Sequence, residues 1–279
     1  YGDIMMSTVQ SISKILDTHL ETAEVLMVDE CHEFCSGPKT LAAIESFPKA
    51  SWRFGFTATV PREPIKRHNL EGALGSIIQT VNTKDLVEEG KLTKPIIQII
   101  EREYTADGED EHLGYTDAYD KYIVYNKERN EKIKDIVKEI LNEKQRARIL
   151  ILTKSLDHGR CLDKTFKEFQ SEFLEGANSV GERYQSISRF RNHGEGSILI
   201  GTRILQTGIN IEEITHFINA RGMKSEIATI QALGRALRVS DNKDEVYVYD
   251  FLDKEKYLSK HSRERISHYK KEGHEVKIV

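Results

Sequence analysis

The second half of the sequence alternates between apolar runs and amphipathic segments, and this alternation restricts the fold more than any other feature. Strands are predicted at residues 149–153, 172–175 and 197–201, and helices at residues 157–169 and 180–191. Strands that alternate with helices form parallel sheets, because each helix carries the chain back to the edge where the strand began. The sequence therefore predicts the α/β class.

A short apolar run near the start ends in two adjacent carboxylates. Residues 25–32 read VLMVDECH, so Asp29 and Glu30 follow four apolar residues that suit a buried strand. Open α/β sheets place their ligands at the carboxyl ends of such strands. In phosphoryl transfer one carboxylate of such a pair can hold Mg²⁺ while the other orients or deprotonates water. By itself the pair is more typical of a solvated strand end than of a catalytic site.

Several boxes in a fixed order carry a family resemblance. Val28-Asp29-Glu30-Cys31-His32 resembles the DExH form of the Walker B box of superfamily 2 helicases. Further boxes of that superfamily follow at residues 57–59, 149–155, 200–211 and 231–238. The most specific is QALGRALR at residues 231–238, which matches the QxxGRxxR box. The resemblance covers most of the chain.

The resemblance implies two RecA-like parallel-sheet domains with ATP shared between them. Residues 1–95 would be the C-terminal part of the first domain, incomplete at its N-terminus, and residues 96–279 the second domain. A phosphate loop needs Gly-x-x-x-x-Gly-Lys-Ser/Thr, and the run SGPKT at residues 36–40 lacks the first glycine. We therefore expect the loop upstream of Tyr1, and poor ATP hydrolysis by the chain as given.

By resemblance, ATP and Mg²⁺ are the cofactors, and their residues come from both domains. Asp29 would hold the metal, and the catalytic residues are Asp29, Glu30, Arg235 and Arg238. The predicted nucleotide-binding residues are His32, Gly208, Asn210 and Gln231. Gln231, Arg235 and Arg238 recur at i, i+4 and i+7, which predicts one helical face. Such arginines can stabilise charge on a transferring phosphate, whereas an exposed basic face is the alternative.

The remaining boxes are predicted to contact nucleic acid or to couple it to hydrolysis. The nucleic-acid residues implied by the resemblance are Thr8, Gln10, Lys154, Ser155, Thr202 and Arg203, and the coupling residues are Thr57 and Thr59. Threonines at strand and helix ends also act as caps and turn formers, so both readings stay open for Thr8 and for the Thr57–Thr59 pair. The tyrosines at positions 115, 119, 122 and 125 favour packing over base stacking.

Other elements are predicted from local patterns alone. Strands are expected at residues 3–7, 52–56, 96–100, 214–220 and 245–251, and helices at residues 8–20, 115–143, 224–237 and 254–271. Residues 101–114 are rich in Asp, Glu and Gly, which is typical of a loop.

Composition excludes some classes of protein. The net charge of −4 gives no overall basic signature, so any nucleic-acid contact must be local. No apolar run approaches the ~18 residues that span a bilayer. Three cysteines are too few for a disulfide framework and suit a reducing cytoplasm. The family resemblance implies that this is the cytoplasm of a bacterium or of a phage-infected cell.

Within the superfamily, DECH, His158-Gly159 and the run FGFTATVPRE look most like the phage UvsW group of DNA helicases, related to XPB-like and restriction-translocase motors. The resemblance implies an ATP-dependent DNA helicase or translocase that remodels branched DNA in replication, recombination or repair. Its partners would be branched or forked DNA and other replication or recombination proteins. Three alternatives stay open: a double-strand DNA translocase, an RNA helicase, and a nucleic-acid-binding module that does not hydrolyse ATP.

Overall fold

Apolar runs pair as parallel strands in both halves of the chain. The computed structural model describes residues 4–14, 17–36, 38–61, 63–101, 112–202, 211–224, 233–240 and 243–279. It divides into two units, Tyr1–Thr80 and Val81–Val279, called unit 1 and unit 2 below. Both contain parallel strands joined by helices, so the predicted α/β class is confirmed.

Unit 1 is built around a two-stranded parallel sheet. Its elements are the 3₁₀ segments Val9–Lys14 and Cys31–Ser36, strands β1 (Val25–Val28) and β2 (Trp52–Gly55), and helices α1 (Asp17–Thr22), α2 (Pro38–Glu45) and α3 (Pro64–Leu74). Its core contains Val28, Cys31, Ile44 and Leu70. Gly55 is required by close packing, since a Cβ there would lie 2.7 Å from Leu74 Cδ1.

The beginning of unit 1 differs from the prediction. The strand predicted at residues 3–7 is wrong for its described part, because residues 4–8 adopt no regular structure and their side chains are exposed. The apolar side chains of Ile4 and Met6 are 86% and 87% exposed, so burial does not hold them in a strand. The helix predicted at residues 8–20 is divided between the first 3₁₀ segment and α1, with residues 15–16 outside the description.

Unit 2 contains a seven-stranded sheet in the order β5-β6-β4-β7-β8-β3-β9, in which each pair of neighbouring strands is parallel. Its strands are β3 (Lys94–Glu101), β4 (Arg148–Leu152), β5 (Ser171–Leu174), β6 (Ser197–Gly201), β7 (His216–Asn219), β8 (Glu245–Leu252) and β9 (Val276–Ile278). Its helices are α4 (Thr83–Glu88), α5 (Tyr115–Tyr119), α6 (Lys127–Glu143), α7 (Leu156–Thr165), α8 (Val180–Asn192) and α9 (Leu258–Lys271). The predicted strands of unit 2 are confirmed, whereas β9 was not predicted.

Alternating residues of the strands send side chains into two cores, one on each face of the sheet. In β4, Leu150 and Leu152 join the core that contains residues of α8 and α9. Ile149 and Ile151 join the core that contains residues of α6 and α7. A sheet that is buried on both faces requires apolar residues at every strand position, which explains the continuous run Ile149–Leu152 in the sequence.

The long helix predicted at residues 115–143 is wrong as one element. It is divided into α5, a π-helical turn at Asp120–Val124, and α6. The side chain of Asn126 accepts a hydrogen bond from the Arg129 backbone N–H at 2.8 Å and caps α6. An N-cap residue has non-helical backbone angles, so the cap starts a new helix there.

The two units divide after Thr80, whereas the sequence predicted a domain boundary at residue 95. Helix α4 contacts residues far along unit 2, and Thr83 Oγ1 donates to Glu272 Oε2 at 2.5 Å. The Thr93 backbone N–H donates to the Leu237 carbonyl at 2.7 Å. These long-range bonds are consistent with the assignment of residues 83–93 to unit 2, because their partners, Leu237 and Glu272, belong to that unit.

Candidate functional site

The two carboxylates of unit 1 follow directly after β1. Asp29 Oδ1 accepts a hydrogen bond from the Glu30 backbone N–H at 2.9 Å. Glu30 has a φ of +47°, in the left-handed region that non-glycine residues rarely adopt. Asp29 is exposed and the Glu30 side chain is 42% exposed. The chain therefore presents two adjacent, water-accessible carboxylates at the carboxyl end of a strand.

His32 connects Glu30 to the Thr57-Ala58-Thr59 triplet. The Thr57 hydroxyl donates its one hydrogen to the Thr59 carbonyl at 3.0 Å. Because that hydrogen is used, Thr57 Oγ1 must accept from His32 Nδ1, which lies 2.8 Å away. The same Nδ1–H faces Glu30 Oε2 at 3.4 Å. The geometry therefore assigns the proton to Nδ1 and places His32 between the carboxylate and the triplet.

Backbone hydrogen bonds hold this arrangement in place. The Phe56 N–H donates to the Val28 carbonyl, and the Cys31 N–H donates to the Phe56 carbonyl, each at 2.9 Å. The ladder between β1 and β2 thus continues beyond the strands and brings Thr57 to His32. The buried hydroxyl of Thr59 has no hydrogen-bond partner within the described ranges. The predicted coupling residues therefore lie beside the acidic box in unit 1.

The side chains at this position are better suited to Mg²⁺, which keeps several water ligands, than to a metal ion held by protein ligands alone. Within the part of the chain that the structure describes, no group of three or more His, Cys, Asp or Glu residues could hold a metal. Mg²⁺ is commonly held by one or two carboxylates together with water and substrate phosphates. The exposed carboxylate of Asp29 fits that role.

In unit 2, predicted nucleic-acid residues meet at one edge of the sheet. Lys154 and Ser155 follow β4, and Thr202 follows β6, its direct neighbour, with Leu152 opposite Gly201. The Thr153 N–H donates to the Gly201 carbonyl at 2.9 Å and joins the two strand ends. Ser155 Oγ also accepts from the His158 N–H at 3.2 Å, so it caps α7. Thr202 is buried, with 8% of its surface exposed.

Thr8 and Gln10, predicted to contact nucleic acid, are both in unit 1. Thr8 is exposed, and its hydroxyl donates to Ser11 Oγ at 3.1 Å. The Ser11 N–H donates to the Thr8 carbonyl at 2.9 Å, so Thr8 begins the turn that leads into the 3₁₀ segment. Gln10 lies within that segment. The turn is closed by the Thr8 backbone carbonyl and not by its side chain, so the capping role and the nucleic-acid role of Thr8 both stay predictions.

The two predicted arginines occupy different local structures. Arg235 is helical, within described residues 233–236, whereas Arg238 lies beyond a turn at Leu237 and forms a β-bridge with Leu92. The prediction that Arg238 shares the helical face of Arg235 is therefore wrong, because the helix ends before it. Arg203, Gly208, Asn210 and Gln231 lie outside the described residues.

Lys243 holds the end of this helix and was not predicted to matter. Its Nζ donates to the Ala236 carbonyl at 3.1 Å and to the Glu212 carbonyl at 2.6 Å. Burial lowers the pKa of Lys243 to about 8. A cation at a helix C-terminus satisfies free carbonyls and interacts favourably with the helix dipole. No sequence signal identifies Lys243, since its partners are backbone atoms.

A buried polar network near the carboxyl ends of β7 and β8 was also missed. Asp250 accepts from Arg265 Nε, from the Tyr269 hydroxyl and from Asn219 Nδ2, at distances of 2.8–3.1 Å. Arg265 NH1 also donates to the Met223 carbonyl at 2.8 Å. The one sequence signal is Asp250 itself, an acid inside the apolar run YVYDFL. A carboxylate in a central strand needs buried partners.

Two family models match parts of this chain. Residues 131–240 match the model of the helicase conserved C-terminal domain, and residues 2–62 match that of the type III restriction enzyme res subunit. The chain is 24% identical to the ATP-dependent DNA helicase uvsW of Enterobacteria phage T4, over 95% of this chain and 56% of the relative. It is also 24% identical to the putative ATP-dependent helicase IRC3 of Saccharomyces cerevisiae, over 90% of this chain and 37% of the relative.

Solved structures show the same fold. The crystal structure of T4 UvsW superposes with a TM-score of 0.56 at 21% identity, over 98% of this chain and 57% of that one. The type ISP restriction-modification enzyme LlaBIII bound to DNA gives a TM-score of 0.68 at 15% identity, over 98% of this chain and 23% of that one. The chain thus spans about half the length of its T4 relative, and a smaller share of IRC3 and of LlaBIII. Among the described residues, no helix is long and apolar enough to cross a membrane.

Proposed function

Because the chain belongs to helicase superfamily 2, we propose that it acts as an ATP-dependent DNA helicase or translocase that remodels branched DNA in replication, recombination or repair. The observation that carries this proposal is the connection from Glu30 through His32 to Thr57 in unit 1, which consists of a 3.4 Å contact between Glu30 Oε2 and His32 Nδ1 and a 2.8 Å hydrogen bond between His32 Nδ1 and Thr57 Oγ1. A movement of the Glu30 carboxylate, where hydrolysis would occur, would displace the His32 imidazole and, through it, Thr57 of the triplet. Such a connection is what coupling of hydrolysis to movement requires.

Each residue of the acidic box has a distinct proposed role. Asp29 would hold Mg²⁺, which when bound neutralises charge on the ATP phosphates. Glu30 orients the attacking water and accepts its proton, since its carboxylate is exposed and next to Asp29. Thr57 fixes the ring of His32 by accepting from its Nδ1 at 2.8 Å, and the ring in turn lies against Glu30, with Nδ1 3.4 Å from Glu30 Oε2.

The residues of unit 2 complete the proposal. Arg235 and Arg238 would stabilise the charge that develops on the transferred phosphate, as arginine fingers do. Thr202 and Ser155, at neighbouring strand ends, would contact the nucleic-acid backbone through their hydroxyls, a contact that positions a strand without reading its sequence. Gly208, Asn210 and Gln231 remain predicted nucleotide contacts, and Gln10 and Arg203 remain predicted nucleic-acid contacts.

DNA is proposed as the partner on the strength of the relatives. The T4 relative is named as a DNA helicase, and the LlaBIII structure is titled as bound to DNA. Branched or forked DNA, partner proteins of replication or recombination, and a cytoplasmic location are further parts of the proposal. A double-strand translocase, an RNA helicase and a non-hydrolysing binding module are the outcomes that would replace it.

ATP hydrolysis by the natural gene product, with single-stranded DNA, duplex DNA, a four-way DNA junction or RNA added, tests the proposal. We expect the junction to stimulate hydrolysis most. Glu30→Gln should lower turnover roughly 100-fold or more, because a positioned general base contributes about that factor. Arg235→Ala should lower it roughly 10³-fold while ATP still binds.

Glu33→Gln is the matched control, since Glu33 is an exposed carboxylate three residues after Glu30, in the 3₁₀ segment Cys31–Ser36. It should hydrolyse ATP like the parent. Undiminished hydrolysis by Glu30→Gln would remove Glu30 as the base. Stimulation by RNA alone would replace DNA as the partner, stimulation by duplex without strand separation would indicate a translocase, and no hydrolysis would leave a binding module.

A further inference from the structure

We propose that Tyr257 is a stacking platform for an unpaired base of single-stranded nucleic acid, supported by Tyr115, Lys154 and Lys256. These four residues are called the tyrosine–lysine cluster. The inference rests on the proposed function and deepens it, because it adds a base contact to a site assigned only to backbone contacts. All four residues belong to unit 2.

The rings of the cluster are held in defined positions. Tyr115 and Tyr257 meet edge to face, with ring centroids 6.1 Å apart and an angle of 87° between the planes. His261 also packs against Tyr115, with the two ring centroids 5.4 Å apart. Edge-to-face contacts fix ring orientation without consuming the whole ring surface. Tyr257 remains 40% exposed.

The backbone conformation of Tyr257 is one that tyrosine rarely adopts, and this suggests a functional reason for the residue. Tyr257 has a φ of +65°, in the left-handed region that tyrosine rarely adopts. It precedes α9 as its N-cap residue, yet its side chain makes no capping hydrogen bond. Glycine would fit the backbone, and Ser, Thr, Asp or Asn would cap the helix, so neither the backbone conformation nor the cap favours tyrosine at this position. Strained residues of this kind cluster at ligand-binding positions.

Two ammonium groups lie at the faces of these rings. Lys154 Nζ is 4.8 Å from the Tyr115 ring centroid and 4.4 Å from that of Tyr119, and it donates to the Tyr115 hydroxyl at 3.3 Å. Lys256 Nζ is 5.1 Å from the centroid of Tyr257. Proteins bind single-stranded nucleic acid with aromatic rings beside cations, because the bases stack on the rings and the phosphates pair with the ammonium groups.

The position of the cluster suits a strand held at the same sheet edge. Lys154 follows β4 and Tyr257 follows β8, so both lie at the carboxyl edge, as does Thr202 after β6. Tyr119 and Tyr122 are 4% and 7% exposed and pack in a core, in agreement with the packing prediction for those two residues. Tyr115 is only half buried, and Tyr257 was not among the predicted tyrosines.

The test is the affinity of the full 279-residue chain for a fluorescent single-stranded DNA, measured by anisotropy at low salt on an ordinary and on an abasic oligonucleotide. Tyr257→Ala should weaken binding of the ordinary strand roughly tenfold, the size expected for one stacked base. On the abasic strand the parent and the variant should bind alike. Tyr257→Phe should restore binding to within about twofold, because it keeps the ring.

Two further variants separate stacking from folding. Tyr257→Gly should raise or leave unchanged the melting temperature, because glycine accepts the positive φ, and should still weaken binding. Tyr184→Ala removes another exposed tyrosine of unit 2, 71% exposed on α8, and should bind like the parent.

The inference is overturned if Tyr257→Ala binds the ordinary strand within twofold of the parent, or if it loses the same factor on the abasic strand. In both cases binding by the parent leaves the proposed function intact. If the parent binds neither single-stranded DNA nor RNA, the proposed function and this inference fail together.

Discussion

The imidazole of His158 illustrates how a single buried group makes unit 2 sensitive to acid. The Asn130 side-chain N–H donates to the Val124 carbonyl at 3.0 Å, so Asn130 Oδ1 must accept from His158 Nε2, also at 3.0 Å. The other ring nitrogen, Nδ1, is buried without a hydrogen-bond partner in the described part of the chain. Protonation would place an unpaired charge there. Burial, together with the charge of Arg129, lowers the pKa of His158 to about 3.

This pKa predicts a loss of stability in acid. The unfolded histidine titrates near 6.5 and the folded one near 3, so the unfolded state binds the proton first as the pH falls. Stability is therefore full above about pH 6.5 and declines below it. At pH 5 the loss from His158 should be roughly 2 kcal/mol. Urea denaturation at pH 7.5 and pH 5.0 measures it.

His158→Gln, which cannot take up a proton, is the test variant. It should be less sensitive to pH than the parent by roughly 2 kcal/mol between these two conditions. An equal pH dependence in both proteins would show that His158 is not the group responsible. The same change at His193, which is only partly exposed, is the control for replacing a histidine of unit 2.

The His158-Gly159 pair that supported the family resemblance also has a packing explanation. Gly159 is buried, and a Cβ at this position would overlap the Phe173 ring of β5. His158 is buried through the contacts given above. Sequence motifs of this kind identify relatives correctly even when the residues serve the fold, because packing constraints are inherited with it.

Helix α9 is attached to the sheet by a buried charge pair. Arg265 and Asp250 are each 1% exposed, and the arginine donates to Asp250 from both Nε and NH2. Burial disfavours the charged arginine, but the carboxylates of Asp250 and Asp253 outweigh it, and the pKa of Arg265 is raised. A buried pair of this kind contributes little relative to apolar residues, yet breaking it leaves one charge uncompensated.

Arg265→Met should therefore lower the free energy of unfolding by roughly 3–5 kcal/mol, because it leaves Asp250 buried without its cation. Arg263→Met changes an exposed arginine of the same helix and should stay within about 0.5 kcal/mol of the parent. Urea denaturation of the chain compares the two. The double variant Asp250→Asn/Arg265→Met should be less destabilised than the sum of its single changes, and strict additivity would contradict the pairing.

The elements that sequence could predict are those whose signal is local. The runs that became β4, β6 and β8 are apolar because both faces of the sheet are covered, and their positions were predicted to within two residues. The break at Asp120–Val124 was missed because the tyrosines and the later apolar residues continue a helical spacing across it. Helix α9 was predicted from its local pattern. The hydrogen bonds between Arg265 of this helix and Asp250 were not, because a local pattern carries no information about which distant residues pair.

The candidate site was predictable to a similar degree. Asp29 and Glu30 follow from a strand with an acidic end, and Thr57 from its order after that box. The donor role of His32 Nδ1 has no sequence signal, since it depends on the direction in which the Thr57 hydroxyl donates its hydrogen in the folded chain. Arg238 was misplaced because helical spacing was extended beyond the point where the backbone turns to pair with Leu92.

The two units differ in how completely they bury their apolar residues, and this should divide the unfolding of the chain. Unit 2 encloses a seven-stranded sheet between two cores. Unit 1 has a two-stranded sheet, and Met27 and Trp52 on its strands are 68% and 65% exposed. A two-stranded sheet is marginal without further cover, because little apolar surface leaves water on folding.

We therefore expect unit 1 to melt at a lower temperature than unit 2. Trp52 is the only tryptophan of the sequence, so tryptophan fluorescence reports on unit 1 alone, whereas far-UV circular dichroism is dominated by unit 2. The fluorescence transition should precede the dichroism transition on heating. Ile44→Ala, in the core of unit 1, should shift only the first transition, and Phe217→Ala, in the core of unit 2, only the second. Coincident transitions that move together in both variants would show a single cooperative unit, because two-state unfolding makes all probes agree.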